Sequence, residues 1–227
     1  MQNMEQYSKD MSKIFRLKCS FCTFCSGLTV LLLLSATACS PKTKDETAFD
    51  KAENMPCPEK TNRIIERNSS YPKVYCIGFD GRQGPYLEFD AHERLKLSAN
   101  YSKDTLNGTW TSYHPNGVID TTGEMKNGER YGVWTQYYVN GNIRSKKTYS
   151  ANTQNGPVEL FYQSGGLMAK GSFTDDLEQG KWFVYNNEGK LARECEMVDG
   201  KESNCVIHIK DFQITTKSYN SSELGAL

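Results

Sequence analysis

Residues 108–119 read GTWTSYHPNGVI, and the pattern returns 24 residues later as GVWTQYYVNGNI at 132–143. Further copies read GPVELFYQSGGL at 156–167 and GKWFVYNNEGKL at 180–191. One step back, GPYLEFDAHERL at 84–95 is a weaker copy, with Glu93 in place of the turn glycine. Five units in unbroken register over 84–203 predict a repeat architecture rather than a globule with a single core.

Each unit has the spacing of a β-hairpin. A short aromatic strand leads into Asn116-Gly117, a pair that tolerates the positive φ angles of a tight turn. In the return strand Ile119, Thr121 and Gly123 alternate with polar residues, which is typical of a half-buried antiparallel strand. Asn127-Gly128 marks a second turn. The sequence therefore predicts an all-β chain built from antiparallel hairpins.

The residues that recur at fixed positions are interpreted first as the structural core of the repeats. They are Gly84, Tyr86, Phe89, Gly108, Trp110, Tyr113, Gly117, Gly132, Trp134, Tyr137, Gly141, Gly156, Phe161, Gly165, Gly180, Trp182, Tyr185 and Gly189. Trp110 and Tyr113 are three residues apart, so either a bulge realigns them or both faces of the sheet carry aromatic side chains. Trp134 and Tyr137, in the middle, are expected to contribute more to stability than Tyr86 at the end.

The motif Gly-x-Trp-x-x-Tyr followed by Asn-Gly resembles the MORN repeat in its bacterial variant form. The matches begin at Gly108, Gly132 and Gly180, with a poorer copy at Gly156 that lacks the tryptophan. The resemblance covers about half of the chain and implies an elongated array of hairpins in a single twisted sheet. It also implies no catalytic apparatus and a role in contacts with proteins or membranes.

Residues 1–38 have the features of a lipoprotein signal peptide. Four basic residues precede an apolar run at 21–34, and small residues lead to Cys39. By its similarity to bacterial lipoprotein signals, Cys39 is the expected site of fatty acylation, and Ser40 after it favours the outer membrane. The alternative is an uncleaved membrane anchor, for which the run is short. Met1 and Met11 are both possible starts.

The remaining segments follow from composition. Residues 39–56 are polar and are expected to form a flexible tether, and 57–83 a cap before the first repeat. Residues 204–214 are predicted to form a closing strand, because Ile207 and Ile209 alternate with polar residues. Residues 215–227 are small and polar and are expected to be a disordered tail.

Four cysteines besides Cys39 follow the signal: Cys57, Cys76, Cys195 and Cys205. An even set in an exported protein indicates two disulfides, for which three pairings exist. We favour Cys57 with Cys76 and Cys195 with Cys205, because a hairpin that turns at Asp199-Gly200 brings the second pair opposite each other. Each disulfide would then fix one of the two ends of the repeat array.

Sequence motifs of catalysis, metal binding and cofactor binding are lacking. The formal net charge is zero, so no basic stripe favours nucleic acid as a partner. His92, His114 and His208 have no second ligand at metal spacing, and no metal or cofactor is expected. Asp175, Asp176 and Glu178 form an acidic turn, which is more often solvated than catalytic.

The sequence therefore favours a non-catalytic module that binds or scaffolds an envelope protein or glycan and is held to the bacterial envelope by a lipid. Two alternatives stay open. One is an antitoxin-like or immunity-like inhibitor of a toxic enzyme. The other is binding or hydrolysis of cell-wall glycan with the turn carboxylates Asp175, Asp176 and Glu178.

Overall fold

The computed structural model describes residues 46–209, which lie in one compact unit. The signal peptide, the choice of start, Cys39, residues 210–214 of the predicted closing strand and the tail lie outside the described residues. The elements are a short helix α1 (Ala48–Ala52) and the strands β1 (Asn62–Glu66), β2 (Lys73–Gly78), β3 (Gly81–Phe89), β4 (Leu95–Ser102), β5 (Thr105–Leu106), β6 (Gly108–Tyr113), β7 (Ile119–Lys126), β8 (Glu129–Tyr137), β9 (Ile143–Ser150), β10 (Thr153–Phe161), β11 (Leu167–Thr174), β12 (Leu177–Tyr185), β13 (Leu191–Val198) and β14 (Lys201–Ile207).

The described strands form one antiparallel sheet, which confirms the all-β hairpin array. Neighbours in the sequence are neighbours in the sheet, except that β5 pairs only with β4 and the path continues from β4 to β6. Sequential antiparallel pairing needs only short connections, and the turn residues of the repeat supply them.

Each unit has two turns, which repeat along opposite edges of the sheet. The first turns contain Gly117, Gly141, Gly165 and Gly189, all with positive φ. At the equivalent position in the weak copy Glu93 also has positive φ, 58°, so this unit keeps the turn without glycine. In the second turns both central residues have positive φ, as at Asn127 (52°) and Gly128 (84°), which is the conformation of a tight two-residue hairpin turn.

The hairpin of β6 and β7 contains a β-bulge, and it also carries aromatic side chains on both faces of the sheet. Ser112 pairs with Thr121 but Tyr113 pairs with Ile119, so Asp120 is an extra residue in the return strand. Because β6 itself alternates regularly, Trp110 and Tyr113 lie on opposite faces. We call these the Trp face and the Tyr face. The expectation that Ile119 shares a face with Thr121 is wrong, because the bulge places Ile119 on the Tyr face.

The N-terminal end differs from the flexible tether expected for 39–56. Thr47 caps α1, because its hydroxyl accepts the backbone N–H of Asp50 at 3.1 Å while the Asp50 carboxylate accepts the Thr47 N–H. Phe49 is completely buried and its ring meets that of Phe89, with 5.0 Å between centroids. Residues 46–56 are therefore part of the fold, and α1 covers the Tyr face at this end.

Arg67 fixes α1 to the sheet through several contacts. Its guanidinium pairs with Asp50 at 3.0 Å and Glu53 at 2.8 Å, and also reaches Glu93 in the first turn of the weak unit at 3.1 Å. The Thr47 backbone N–H and the Arg67 guanidinium together hold the pKa of Asp50 at about 2. Glu93 therefore takes the place of the turn glycine, and through Arg67 it also connects this turn to α1.

Tyr86 is more buried than its position at the end of the repeats suggests, while its contribution to stability stays a prediction. Its exposed fraction is 8 %, the same as that of Trp134, because β1 and β2 precede it in the sheet. Its ring lies between those of Tyr75 and Tyr101, at 5.8 and 5.4 Å. Tyr137, in contrast, is only half-buried. The region 57–83 thus extends the sheet as well as capping it.

Both disulfides occur in the favoured pairing, Cys57 with Cys76 and Cys195 with Cys205. β14 begins at Lys201, so the boundary expected at 203/204 falls inside a strand. Val198 pairs with Lys201, and a bulge at Ser203 then brings Cys195 opposite Cys205. The two cysteines are therefore opposite each other because of that bulge and not because of the turn alone.

Candidate binding surface

The Trp face is held together by pairs of one large and one small residue on adjacent strands. A Cβ placed on Gly123 would lie 2.3 Å from the ring of Trp134, and one on Gly171 would lie 2.2 Å from the ring of Trp182. Each indole therefore covers the backbone of the preceding return strand, where any side chain would block it. Trp182, with an exposed fraction of 3 %, belongs to a buried cluster that also contains Phe173 and Met197.

A different pair occupies these positions where the unit that begins at Gly132 meets the unit that begins at Gly156. Lys147 stands where Gly123 and Gly171 stand, and Val158 stands where the tryptophans do. The two residues pair directly across the strands and both are buried. Burial of the amine, with Arg130 and Arg144 nearby, lowers the pKa of Lys147 to about 8.

The buried amine makes stability depend on pH in a defined direction. Between pH 8 and 10.5 the unfolded chain holds more of the Lys147 proton than the folded chain, so stability rises with pH through this window. We expect the wild type to gain about 2 kcal/mol relative to Lys147→Met between pH 8 and pH 10. Urea unfolding of both proteins at several pH values measures this difference, and parallel pH profiles would contradict it.

On the first-turn edge, side chains of one unit bind the backbone of the next. Tyr138 donates its hydroxyl to the Phe161 carbonyl at 2.8 Å, and Tyr162 donates to the Tyr185 carbonyl at 2.7 Å. His114, at the same repeat position, places Nε2 3.0 Å from the Tyr137 carbonyl oxygen. These contacts give His114 a structural role between units.

Hydrogen bonds also join successive units along the second-turn edge. Asn152 accepts the backbone N–H of Arg130 at 2.8 Å, and Asp176 accepts that of Gln154 at 2.7 Å. Backbone bonds follow the same step of 22 residues, for example from Asp176 N–H to the Gln154 carbonyl at 3.0 Å. The units are therefore fixed relative to each other along both edges.

A groove of about 570 Å³ lies where the Trp face meets the second-turn edge. It crosses four successive units, and its lining comprises Arg130, Tyr149, Asn152, Gln154, Phe173, Asp176, Leu177, Glu178, Asp199, Gly200 and Lys201. Gln154 and Glu178 are buried, whereas Leu177 is 46 % exposed. The Arg130 guanidinium stacks on Tyr149, 4.2 Å from its centroid. The groove thus combines aromatic, amide and oppositely charged groups, which suits a polar partner with some apolar surface.

The acidic turn contributes only part of its carboxylates to this groove. Asp176 and Glu178 line it, while Asp175 accepts the side-chain amide of Asn155 at 3.3 Å. Asp175 binds the side chain of Asn155 and Asp176 binds the backbone of Gln154, both in β10, so a structural role accounts for these two carboxylates. Sequence reasoning identified this turn but not Arg130, Tyr149 or Lys201, whose proximity depends on the inter-unit register.

Other residues considered for catalysis or metal binding do not line the groove; they are His92, His208, Cys195 and Cys205. His92 donates its backbone N–H to Asp90 within a turn, and His208 lies 3.9 Å from Glu194. Cys195 and Cys205 lie close to Glu202, but the disulfide commits both sulfurs. Over residues 46–209, no helix has the length and apolar character needed to cross a bilayer.

Two segments, residues 106–127 and 130–151, match the family model of the MORN repeat variant. The chain therefore carries repeats of a type associated with repeat-based binding modules, in agreement with the geometry. No curated protein sequence matches it.

Solved structures give only low similarity. A TarM mutant of S. aureus in complex with fondaparinux, alpha-GlcNAc-glycerol and UDP has 11 % identity and a TM-score of 0.31, over 58 % of this chain and 26 % of that chain. A GtfA/B complex bound to UDP and GlcNAc has 16 % and 0.18, over 51 % and 24 %. A complex of accessory secretory proteins 1, 2 and 3 of Streptococcus pneumoniae has 9 % and 0.19, over 63 % and 22 %. The chain spans about a quarter of each, and these similarities carry no argument about function.

Proposed function

We propose, from the premise that the chain carries MORN-variant repeats, that it is a non-catalytic protein-binding module of the bacterial cell envelope. Cys39 carries the lipid that holds it to the membrane, and the outer membrane is the proposed location. The partner is an envelope protein that contacts the groove of the second-turn edge. Nucleic acid, metal and cofactor have no part in this function.

The observation that carries the proposal is the composition of the groove. Four units contribute to it, so its shape depends on the register of the array and not on one loop. The exposed Leu177 supplies apolar surface between acidic Asp176 and basic Lys201. Protein interfaces commonly have this arrangement of apolar contact with a charged rim.

The groove can be tested by site-specific photocrosslinking in cells. A photoreactive residue at Leu177 is expected to capture one partner species from the envelope. Val139, on the first-turn edge, is the matched control, because it is also apolar and similarly exposed, 52 % against 46 %. The partner should be identified by mass spectrometry and its complex reconstituted with the purified full chain.

Three outcomes of this experiment are informative. Capture at Leu177 but not at Val139, followed by reconstitution that Lys201→Glu weakens, supports the proposal. Equal capture at both positions, or none at Leu177, contradicts it. A toxic enzyme recovered in an equimolar and inactive complex would identify the inhibitor alternative instead.

Two further assays address the anchor and the absence of catalysis. A fatty-acid label is expected on the wild type and not on Cys39→Ser, and a label that survives the substitution would contradict the lipid assignment. The glycan hydrolase alternative requires turnover of cell-wall glycan that is abolished by alanine at Asp175, Asp176 and Glu178 together. We expect no turnover by the wild type.

A further inference from the structure

The two disulfides lie in opposite environments. Cys76 has an exposed fraction of 1 %, and Cys57 packs against the same buried cluster. Cys205, in contrast, is exposed on β14, the edge strand. Thiol–disulfide exchange requires that a thiolate reach one sulfur, so access favours reaction at Cys205.

The disulfide at the C-terminal end also replaces a packing contact. Cys195 stands at the repeat position of Gly123 and Gly171, which earlier units cover with an indole from the following strand. Here the equivalent residue is Val206, and it pairs with Glu194 on the Tyr face, so it does not cover Cys195. The sulfur of Cys205 takes the place of the indole.

Apart from the disulfide, β14 is held in the described residues by its pairing with β13 and by contacts such as the Arg193–Glu202 ion pair, without burial of its side chains. All seven of its residues are exposed, and it pairs with β13 only. Edge strands without side-chain burial have low local stability, since few contacts are lost when they open. The disulfide is therefore the covalent constraint on β14, in addition to its backbone pairing with β13.

Two charged side chains adjoin the exposed sulfur. Arg193 Nη2 lies 3.3 Å from Cys205 Sγ, and Glu202 Oε2 lies 3.7 Å from it. Arg193 and Glu202 also form an ion pair with each other. An incoming thiolate is attracted by the guanidinium and repelled by the carboxylate, so the two residues should have opposite effects on its approach.

We propose that Cys195–Cys205 is a thiol–disulfide exchange site whose substrate is a dithiol reductant, and that its reduction releases β14 from the sheet. A thiolate of the reductant attacks Cys205 Sγ and forms a mixed disulfide, while Cys195 leaves as a thiolate and takes up a proton. The second thiolate of the reductant then attacks its own sulfur in the mixed disulfide. Cys205 leaves and is protonated, and the dithiol becomes a disulfide, with two electrons transferred to the protein. The proposal does not rest on the binding function, but release of β14 would also move Lys201, which lines the groove.

The first test compares the two disulfides in the full chain. Limiting dithiothreitol is added, samples are alkylated at intervals, and peptides are quantified by mass spectrometry. Cys195 and Cys205 are expected to be modified at least about tenfold faster than Cys57 and Cys76. Reduction of both pairs at the same rate, or of Cys57–Cys76 first, overturns the proposal. The variant Cys57→Ser/Cys76→Ser should keep the rapid reaction, and loss of the rapid phase in a variant that is folded by circular dichroism also overturns it.

The second test uses the neighbouring charges as matched variants. At low ionic strength Arg193→Gln is expected to slow reduction of Cys195–Cys205 about threefold, and Glu202→Gln to accelerate it about threefold. Both differences should shrink in high salt, since the groups are partly exposed. A purely structural disulfide predicts that both variants weaken the edge and accelerate reduction alike, and that result would overturn the assigned direction of attack.

The third test concerns the release of β14. After selective reduction, the backbone amides of 201–207 are expected to exchange with deuterium at least about tenfold faster than before. The amides of β12 should keep their protection, because the tryptophan-containing core remains intact. Retained protection of 201–207 after reduction overturns the release.

Discussion

Trp182→Ala is expected to lower the free energy of unfolding by about 3–5 kcal/mol, the range for removal of a buried aromatic side chain. Trp182 has an exposed fraction of 3 %, and its ring meets that of Phe173 at 5.5 Å between centroids. Removal of the indole uncovers the backbone at Gly171 and leaves a cavity. Among residues 46–209 the sheet forms a single layer, and no second layer of side chains lies over the Trp face to fill it.

Trp110→Ala is the matched control, because Trp110 holds the same repeat position but is only half-buried. Its loss should cost about half as much, since less apolar area returns to water. Urea unfolding monitored by circular dichroism measures both values. Equal losses would show that burial within the array is not what makes Trp182 important.

Gly171→Ala is expected to destabilise the chain by about 3 kcal/mol, the upper part of the range for overpacking. Its Cβ would lie 2.2 Å from Trp182 and would displace the indole. Gly166 is the matched control, because its Cβ would contact nothing within 4 Å and, like Gly171, it does not lie at positive φ. Gly166→Ala should therefore change stability by less than about 1 kcal/mol.

The pair formed by Lys147 and Val158 suggests how the steric clash between Gly171→Ala and Trp182 can be relieved. Lys147 and Val158 show that a longer residue at the glycine position is compatible with a smaller one at the tryptophan position. In the double variant Gly171→Ala/Trp182→Val the alanine should cost less than about 1 kcal/mol beyond Trp182→Val alone. Additive losses in a double-mutant cycle would show that the two positions do not share the contact.

The sequence predicts the array well because its signals are local. Asn127-Gly128 requires positive φ angles, and the 24-residue period fixes where each hairpin begins. The faces of the sheet are harder to predict, since the extra residue Asp120 shifts Ile119 to the other face. A bulge of this kind has no strong composition signal, and alternation alone gives the wrong face for residues beyond it.

The prediction from sequence missed both helix α1 and the groove, for two different physical reasons. Residues 46–56 read as a polar tether, but Thr47, Phe49 and Asp50 carry the signal of a capped helix with a buried aromatic residue, and that signal could have been found. The groove could not, because Arg130, Asp176 and Lys201 come together only through the register across four units. Spacing within one unit contains no information about that proximity.

The bonds that each unit makes to the next along both edges have an evolutionary consequence. Since Tyr138 and Tyr162 make the same bond one period apart, a tandem duplication of one whole 24-residue unit creates a junction like those already present. Such a duplication adds two strands, which widen the sheet by about 10 Å, and it requires no type of contact between units that the array does not already have. An insertion of part of a unit within a strand moves these donors out of register with the carbonyls of the next unit, so we expect the array to vary in size by whole units.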